Sequence, residues 1–505
     1  MNTWIKDAIF YEIYPTSFND TNGDGIGDLE GIRQKLDYLT SLGINAIWIN
    51  PFYKSPFKDG GYDVSDFKDV DPRFGTMKDF ETLLKEAHDR GIKIVIDLVA
   101  GHTSEEHPYF IKSGESTRNE YSDLFIWNDN VWSMQPPLRQ IAGRFNRNGC
   151  YMVNFFNTQP ALNYGWNKIE YPSWQIPYDD PRVEVTKNFL KSIIRFWLDK
   201  GVDGFRVDMA DSLVKGDDDK VATMKLWKEI KSEIFDKEYQ ERVLISEWSN
   251  PARSLKCGFD ADFVLDHHDN CFHHLVRSTE QTRGTAVLNG GSFKVFKEDL
   301  LWRINEANKT DGYLSFISGN HDTPRIASFL AKKELRIFYM MLFTLPGVPF
   351  LYYGDEIGML HADLPSKDGG FQRTGDRTPM KWDDSQLHGF STNKNTYLPF
   401  ENSESSVATQ NDDPKSLLNF IRKMIAIRHQ NECLRSRDFE LEVCDENKRI
   451  IIYRRGNLKV IINLSNEDYY LENVKEILAI NGCEHCCLDR DAMLLKPHSS
   501  ILVRI

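Results

Sequence analysis

The chain has 505 residues, of which 41% are hydrophobic and 27% charged, as in a globular protein with one large domain and one or two smaller ones. Its formal net charge of -13 argues against nucleic acid and anionic membranes as partners. The sequence has no apolar run of 18 residues and no signal-peptide pattern at its start, so we expect a cytoplasmic protein. We also expect it to act as a monomer or homodimer.

The eight cysteines predict no disulfide framework in a chain of this length. Cys483, His485, Cys486 and Cys487 lie close together in CEHCC. A metal site would need a further well-spaced ligand, so we interpret these residues as reduced thiols and a histidine.

Strand-like runs alternate with amphipathic segments along most of the chain. The runs cover residues 8–15, 44–51, 93–102, 204–210, 242–248, 262–268, 313–322 and 350–356. Apolar residues at helical spacing predict helices over 29–43, 78–91 and 183–201. Eight strands that alternate with helices indicate an α/β protein with a parallel (β/α)8 TIM barrel.

Two connections are much longer than one helix needs. Residues 103–175, between strands three and four, are rich in Asn, Pro and aromatic residues and predict an inserted subdomain. Residues 357–414 form a second long polar segment after strand eight. Short alternating runs near the end predict an antiparallel β domain. The expected division is a barrel (domain A) from 1–102 and 176–432, an inserted subdomain B at 103–175, and a C-terminal domain C at 433–505.

The stretch GFRVDMADS, residues 204–212, places two charges inside an apolar strand. Because strand side chains alternate, Arg206 and Asp208 share one face and Phe205 and Val207 share the other. A structural ion pair is one explanation, since a buried charge is costly unless it is paired. A functional site is the other.

Further charged residues stand at the ends of the neighbouring strands. They are Asp97 and His102 at the third strand, Glu247 at the fifth, and His321 and Asp322 at the seventh. The carboxyl ends of barrel strands converge on one face, where active sites form. The three carboxylates Asp208, Glu247 and Asp322 suit glycoside hydrolysis. A divalent metal is the alternative, and the adjacent arginine argues against it because the two cations would repel.

The chain resembles the α-amylase family of glycoside hydrolases, family 13, over almost its whole length. The resemblance is carried by GGYDVSDF (60–67), DLVAGH (97–102), QPALN (159–163), GFRVDMADS (204–212), ISEW (245–248), ISGNHD (317–322), GVPFLYYGDEIG (347–358) and RTGDRTPMKW (373–382).

The resemblance implies a role for each matching residue. Asp208 would be the nucleophile that forms a covalent glycosyl intermediate, Glu247 the general acid and base, and Asp322 a transition-state stabiliser. Arg206 would keep Asp208 ionised, since an adjacent cation lowers a carboxyl pKa. Three further residues would bind the sugar at the cleaved site: His102, His321 and, by stacking beneath the ring, Tyr62. The stereochemical outcome would be retention.

Within the family, the chain looks closest to the oligo-1,6-glucosidase and α-glucosidase branch. In that branch an Asp and an Arg, here Asp59 and Arg377, close the pocket behind the terminal glucose, which implies exo action on short oligosaccharides. Three positions depart from the family pattern. Gly101 and Ala161 replace an Asn and an Asp, and Met209 leaves the linkage preference open.

The stretch NDTNGDGIGD, residues 19–28, has the oxygen spacing of a cation-binding loop. The expected ligands are the side chains of Asp20, Asn22, Asp24 and Asp28 and the carbonyl of Ile26. The Glu that would complete an EF-hand is replaced by Gly31. Related glucosidases bind structural Ca²⁺ or Mg²⁺ here; a polar turn before the helix is the alternative. No organic cofactor is expected.

Three functions compete at this stage. The first is a retaining α-glucosidase whose partner is a small oligosaccharide. The second is a transglycosylase or sugar isomerase of the trehalose synthase or sucrose isomerase type, which uses the same carboxylates but excludes water. The third is a catalytically inactive binding barrel, as in transporter heavy chains, which lack some of the carboxylates.

Overall fold

The computed structural model describes residues 4–134, 139–278, 285–367, 369, 373–472, 474–482, 488–489 and 492–505. The CEHCC cluster, for which the sequence predicts no metal site, lies outside the described residues.

A closed barrel of eight parallel strands forms the centre of the molecule, which confirms the predicted TIM barrel. Each strand pairs with its neighbour in chain order, and the last pairs with the first. The barrel strands are β1 (Phe10–Ile13), β2 (Ala46–Ile49), β3 (Lys93–Val99), β4 (Gly204–Asp208), β5 (Val243–Ser246), β6 (Ala261–Val264), β7 (Tyr313–Ile317) and β8 (Val348–Tyr352).

Both faces of these strands are buried, as in a parallel sheet covered by helices. Aromatic residues fill the interior: the rings of Phe10 and Phe350 stack at 4.2 Å, and Trp48 packs against Phe263. In the pairing of β3 with β4, Asp97 lies opposite Arg206. The register therefore places an acid beside the arginine near the carboxyl end of the barrel.

The helices are Leu29–Gln34, Leu36–Leu42, Met77–Asp89, Pro108–Ser113, Glu184–Lys200, Val221–Ile230, Pro251–Ser254, Cys271–Val276, Lys294–Ala307, Lys332–Thr344, Val407–Asn411, Leu417–Gln430 and Glu432–Arg435. The helix predicted over 29–43 is two helices, separated at Lys35. Gly43 and Gly201 end their helices in the left-handed conformation that glycine adopts without steric cost.

Between β3 and β4 the chain leaves the barrel and forms a small three-stranded antiparallel sheet. Its strands are Trp127–Asn128, Gln140–Ala142 and Cys150–Met152. A separate hairpin of Tyr53–Lys54 and Asp66–Val70 follows β2. An isolated bridge joins His102 to Ala161, so the insert returns directly to the end of β3. The insert is thereby fixed as one wall above the barrel.

The last part of the chain forms antiparallel sheets with their own apolar core, as predicted. A five-stranded sheet contains, in spatial order, Glu440–Asp445, Ile450–Arg455, Leu458–Asn463, Ser499–Arg504 and Glu476–Asn481. A three-stranded sheet contains Tyr469–Glu472, Ala492–Leu495 and Leu488–Asp489. The strands of these two sheets do not pair with those of the closed barrel.

Helices long and apolar enough to cross a bilayer are absent from the residues that the structure describes.

Candidate active site

A buried arginine gathers three carboxylates at the carboxyl end of the barrel. Arg206 donates from Nη1 to Asp97 at 2.6 Å and to Asp208 at 3.0 Å, and its Nη2 lies 2.9 Å from Glu247. Asp97 is fully buried and also accepts from the Trp48 indole at 2.7 Å. The guanidinium has a rigid fork of donors, so one side chain holds strands β3, β4 and β5 in a fixed relation. The Arg206–Asp208 pair seen in the sequence is therefore part of a larger site.

The two carboxyls at the centre of the site, Asp208 and Glu247, hold protons more tightly than free carboxyls do. Burial raises the pKa of Asp208 well above its usual range; the charge of Glu247 adds to this, and Arg206 opposes it. Burial likewise raises the pKa of Glu247. Arg206 lowers the pKa of Asp208, as the sequence predicts, but burial and the charge of Glu247 outweigh its effect. Two interacting carboxyls titrate as a pair, and a division of labour between acid and nucleophile needs one of them protonated and the other ionised.

The backbone after Asp208 is held in a left-handed conformation. Met209 has φ +43, which is costly for a residue other than glycine. Its N–H donates to Glu247 Oε2 at 2.9 Å. The turn after β4 is therefore hydrogen-bonded to the Glu247 carboxyl after β5, which keeps Asp208 and Glu247 close together.

Asp322 lies between two arginines from the long segment after β8. Its Oδ1 accepts from Arg373 at 2.8 Å and from Arg377 at 2.9 Å. Burial would raise the pKa of Asp322, but His321 and these two guanidinium groups hold it well below its usual range. These groups favour the ionised form of Asp322, which is suited to binding hydroxyls or a developing positive charge.

Asp59 belongs to the same charged wall. Asp59 pairs with Arg373, which the sequence prediction missed, while fully buried Arg377 binds Asp322 and the carbonyl of His321. Gln159 of the insert donates to Asp59 at 2.6 Å. Burial raises the pKa of Asp59 to about 6. Arg373 thus bridges Asp59 and Asp322, and this bridge closes one end of the site.

Tyr62 and His321 form the floor of the site. Their rings stack 5.1 Å apart with an interplanar angle of 6°. The Tyr62 hydroxyl donates to Asp97 at 3.2 Å, and His321 Nδ1 lies 2.7 Å from Glu12 Oε1. His321 Nε2 is buried, makes no hydrogen bond, and lies 3.3 Å from Asp322 Oδ2. This nitrogen lies beside Asp322, and no hydrogen-bond partner for it occurs among the described residues.

His102 lies between Tyr62 and the insert. Its Nε2 is 3.2 Å from the Tyr62 carbonyl, and its Nδ1 is 3.2 Å from Asn154 Nδ2. Burial lowers the pKa of His102 to about 4, so the imidazole is neutral at physiological pH. The insert thus contributes directly to the site through Asn154 and Gln159.

The loop predicted to bind a cation lies apart from these residues. Asp20 accepts from the amides of Gly23 and Gly25, and Asp28 accepts from the amides of Thr21 and Gly31. Across the described ranges, no three His, Cys, Asp or Glu side chains converge as a metal cluster. The loop supplies carboxylate oxygens, which Ca²⁺ and Mg²⁺ prefer as ligands. In this structure nearby backbone amides donate hydrogen bonds to those oxygens.

The family is decided by comparison with known proteins. Residues 12–437 match the model of the alpha-amylase catalytic domain. The chain belongs to the α-amylase family. A glucan 1,6-alpha-glucosidase from Streptococcus pneumoniae is 31% identical over 562 residues, covering 99% of each chain. An oligo-1,6-glucosidase from Heyndrickxia coagulans is 32% identical over 534 residues, covering 92% of this chain and 93% of the relative.

A solved structure of the family extends the comparison to another reaction type. The trehalulose synthase MutB from Pseudomonas mesoacidophila MX-45 superposes with a TM-score of 0.83, at 27% identity and 99% coverage of both chains. Hydrolases and this synthase therefore share the family's architecture. Together the family model and the glucosidase relatives make this α-amylase-family chain a glycoside hydrolase.

Several residues of the site were missed in the sequence. Arg373 stands four residues before Arg377 in the motif RTGDRTPMKW, so a second arginine was there to be noticed. Asn50 and Glu12, which flank His321, carry a weaker signal, because each is one polar residue in or after an apolar barrel strand. Asn154 and Lys215 carry no recognisable signal, since their positions depend on how the insert folds back.

We expect Glu247→Gln to move the acid limb of the pH–rate profile to lower pH. The charge of Glu247 raises the pKa of Asp208, so its removal keeps Asp208 ionised under more acidic conditions. The measurement is kcat/KM against pH for α-glucosyl fluoride, whose leaving group needs no protonation. The shift should be roughly 1 pH unit. Glu241→Gln, an exposed change, is the control. An acid limb that stays in place would refute the coupling.

Proposed function

We propose that the protein is an exo-acting, retaining α-glucosidase that removes terminal α-linked glucose from short oligosaccharides. The observation that carries this proposal is the placement of Asp208 and Glu247 on the two Nη atoms of one guanidinium. In a retaining glycosidase the two carboxyls stand about 5–5.5 Å apart, so that one attacks while the other protonates. Two carboxyls held by one planar group are close enough for this division of labour.

The reaction would proceed in two displacements. Asp208 attacks the anomeric carbon while Glu247 gives its proton to the leaving oxygen, forming a glycosyl ester. Glu247, now ionised, takes a proton from water, whose oxygen attacks the same carbon and releases Asp208. Asp322, held ionised by its arginines, binds hydroxyls and favours the positive charge that develops on the ring. Tyr62, His102 and His321 would hold the sugar.

The exo preference is supported by the closed end of the site. Asp59, Arg373 and Asp322 form a continuous bridge between the segment after β2, the segment after β8 and the end of β7. Gln159 attaches the insert to this bridge. A polysaccharide that continued beyond this point would have to displace the ion pairs. The relatives named as 1,6-glucosidases agree with short α-glucans as the substrate class.

We further propose that the chain divides at the predicted boundaries, with domain A at 1–102 and 176–432, B at 103–175 and C at 433–505. We also propose a reducing, cytoplasmic location. Cys150, Cys257, Cys271, Cys433 and Cys444 are free thiols among the residues described, as expected where disulfides do not form.

The central test compares the wild type with Asp208→Asn on maltose, isomaltose, trehalose, sucrose, panose and starch. We expect glucose from short substrates but not from starch, and loss of turnover by at least about 10³-fold in the variant. Asp211→Asn, three residues further on and more exposed, is the matched control. Full activity of Asp208→Asn would refute the assignment. New disaccharides from sucrose or maltose would instead identify an isomerase or transglycosylase, and no reaction would favour an inactive barrel.

The closed end is tested separately by Arg373→Ala. Loss of the bridge leaves Asp59 buried without this partner, so kcat/KM for maltose should fall about 10²-fold, mainly through KM. Discrimination against starch should weaken at the same time. Arg182→Ala removes an exposed arginine whose ion pair is local and should leave both substrates unchanged. Unaltered discrimination in Arg373→Ala would contradict the role of the bridge.

We propose that Ca²⁺ or Mg²⁺ binds the loop of Asp20, Asn22, Asp24, Ile26 and Asp28. The ion would offset the repulsion among three acids and would stabilise the loop without entering the chemistry. Adding Ca²⁺ after EDTA treatment should raise the unfolding temperature by a few degrees, because a ligand at 100 times its Kd stabilises by about 2.7 kcal/mol. Asp24→Ala should abolish this rise while kcat is kept. An unchanged unfolding temperature would exclude the site.

A further inference from the structure

Lys215 and Asn154 lie behind His102 and form a directed hydrogen-bond chain. Lys215 Nζ donates to Asn154 Oδ1 at 2.8 Å and to the Ser212 carbonyl at 2.5 Å. Asn154 Nδ2 in turn lies 3.2 Å from His102 Nδ1 and 4.0 Å from Met209 Sδ. The three residues come from the loop after β4, the insert and the end of β3, so the chain joins all three.

The direction of this chain follows from what each group is able to do. An ammonium has donors and no acceptor, so Asn154 must turn its oxygen toward Lys215. Its NH₂ group then faces His102, whose Nδ1 must accept. On the other side of the ring, the Tyr62 carbonyl can accept but not donate, so His102 Nε2 must bear the proton. Both neighbours therefore require the same tautomer.

The residues around Asn154 leave room for its side-chain amide in this position. Gly101 precedes His102, and a β-carbon there would lie 2.7 Å from Asn154 Nδ2. Only glycine leaves room for the amide at this point. Burial lowers the pKa of Lys215 to about 8, with Lys220 acting in the same direction and Asp211 opposing, so the ammonium persists at neutral pH.

We propose that Lys215 and Asn154 are positioning residues that hold neutral His102 with its proton on Nε2, where it donates to the Tyr62 carbonyl and fixes the imidazole beside Tyr62 in the sugar site. Neither residue needs to touch the reacting atoms. Through Met209 the same amide also supports the turn that follows Asp208. The proposal rests on the proposed function only for its consequence in sugar binding; the tautomer itself is a property of the free protein.

The first test reads the tautomer directly. ¹⁵N-histidine-labelled protein should show an unprotonated Nδ1 and a protonated Nε2 for His102, identified as the pair of signals missing from His102→Gln. Asn154→Asp has nearly the same shape but offers only acceptors, so Nδ1 should become protonated. Protonated Nδ1 in the wild type, or no change in Asn154→Asp, would overturn the proposal. This readout requires no activity, so it decides the matter even if no sugar is cleaved.

The second test measures coupling in the active enzyme. Lys215→Met and Asn154→Leu should each lower kcat/KM for p-nitrophenyl α-glucoside roughly ten- to a hundredfold. Because they act through one chain, the double variant should be no worse than the poorer single variant. Lys220→Met removes a nearby positive charge that contacts Asp211 and not Asn154, and should keep its activity. Additive losses, or an equal loss in Lys220→Met, would show a merely structural or electrostatic role.

Discussion

The buried guanidinium of Arg206 is the interaction on which the rest of the site depends. One positive charge, with almost no exposure to solvent, is shared by Asp97, Asp208 and Glu247. Burial of so many acids would be prohibitive without it, and removal of one partner of a buried ion pair typically costs about 3–5 kcal/mol. The guanidinium holds the acids in place and lowers the pKa of Asp208 and of Glu247, but burial outweighs it and leaves both pKa values raised. The same site therefore combines a fixed geometry with two carboxyls that hold protons tightly.

The barrel supplies these acids, while segments outside the barrel complete the pocket. The insert contributes Gln159 on one side and Asn154 on another, and the segment after β8 contributes Arg373 and Arg377. Each of these makes a polar contact to a residue of the site. The barrel ends thus determine where the chemistry occurs, and the connections determine which substrates can reach it.

The sequence was sufficient to predict the barrel and the strand-end acids, since periodicity and the positions of charges after apolar runs depend on local order. It was insufficient for contacts between distant segments. Arg373, which the sequence did not single out, forms the ion pair with Asp59, because the fold of a long polar connection determines which arginine reaches that acid. The sequence predicts that Arg206 lowers the pKa of Asp208, which it does. Burial and the charge of Glu247 outweigh it, and neither is visible in the strand that carries Arg206 and Asp208.

The most direct measurement is mass spectrometry of the Glu247→Gln variant after brief reaction with α-glucosyl fluoride and acid quenching. The fluoride leaves without acid assistance, while the absence of the general base slows hydrolysis of the glycosyl ester, so the intermediate should accumulate. We predict one added anhydroglucose unit on the peptide that contains Asp208, located at that residue. An adduct on a different carboxyl, or release of β-glucose with no adduct, would contradict Asp208 as the nucleophile held by Arg206.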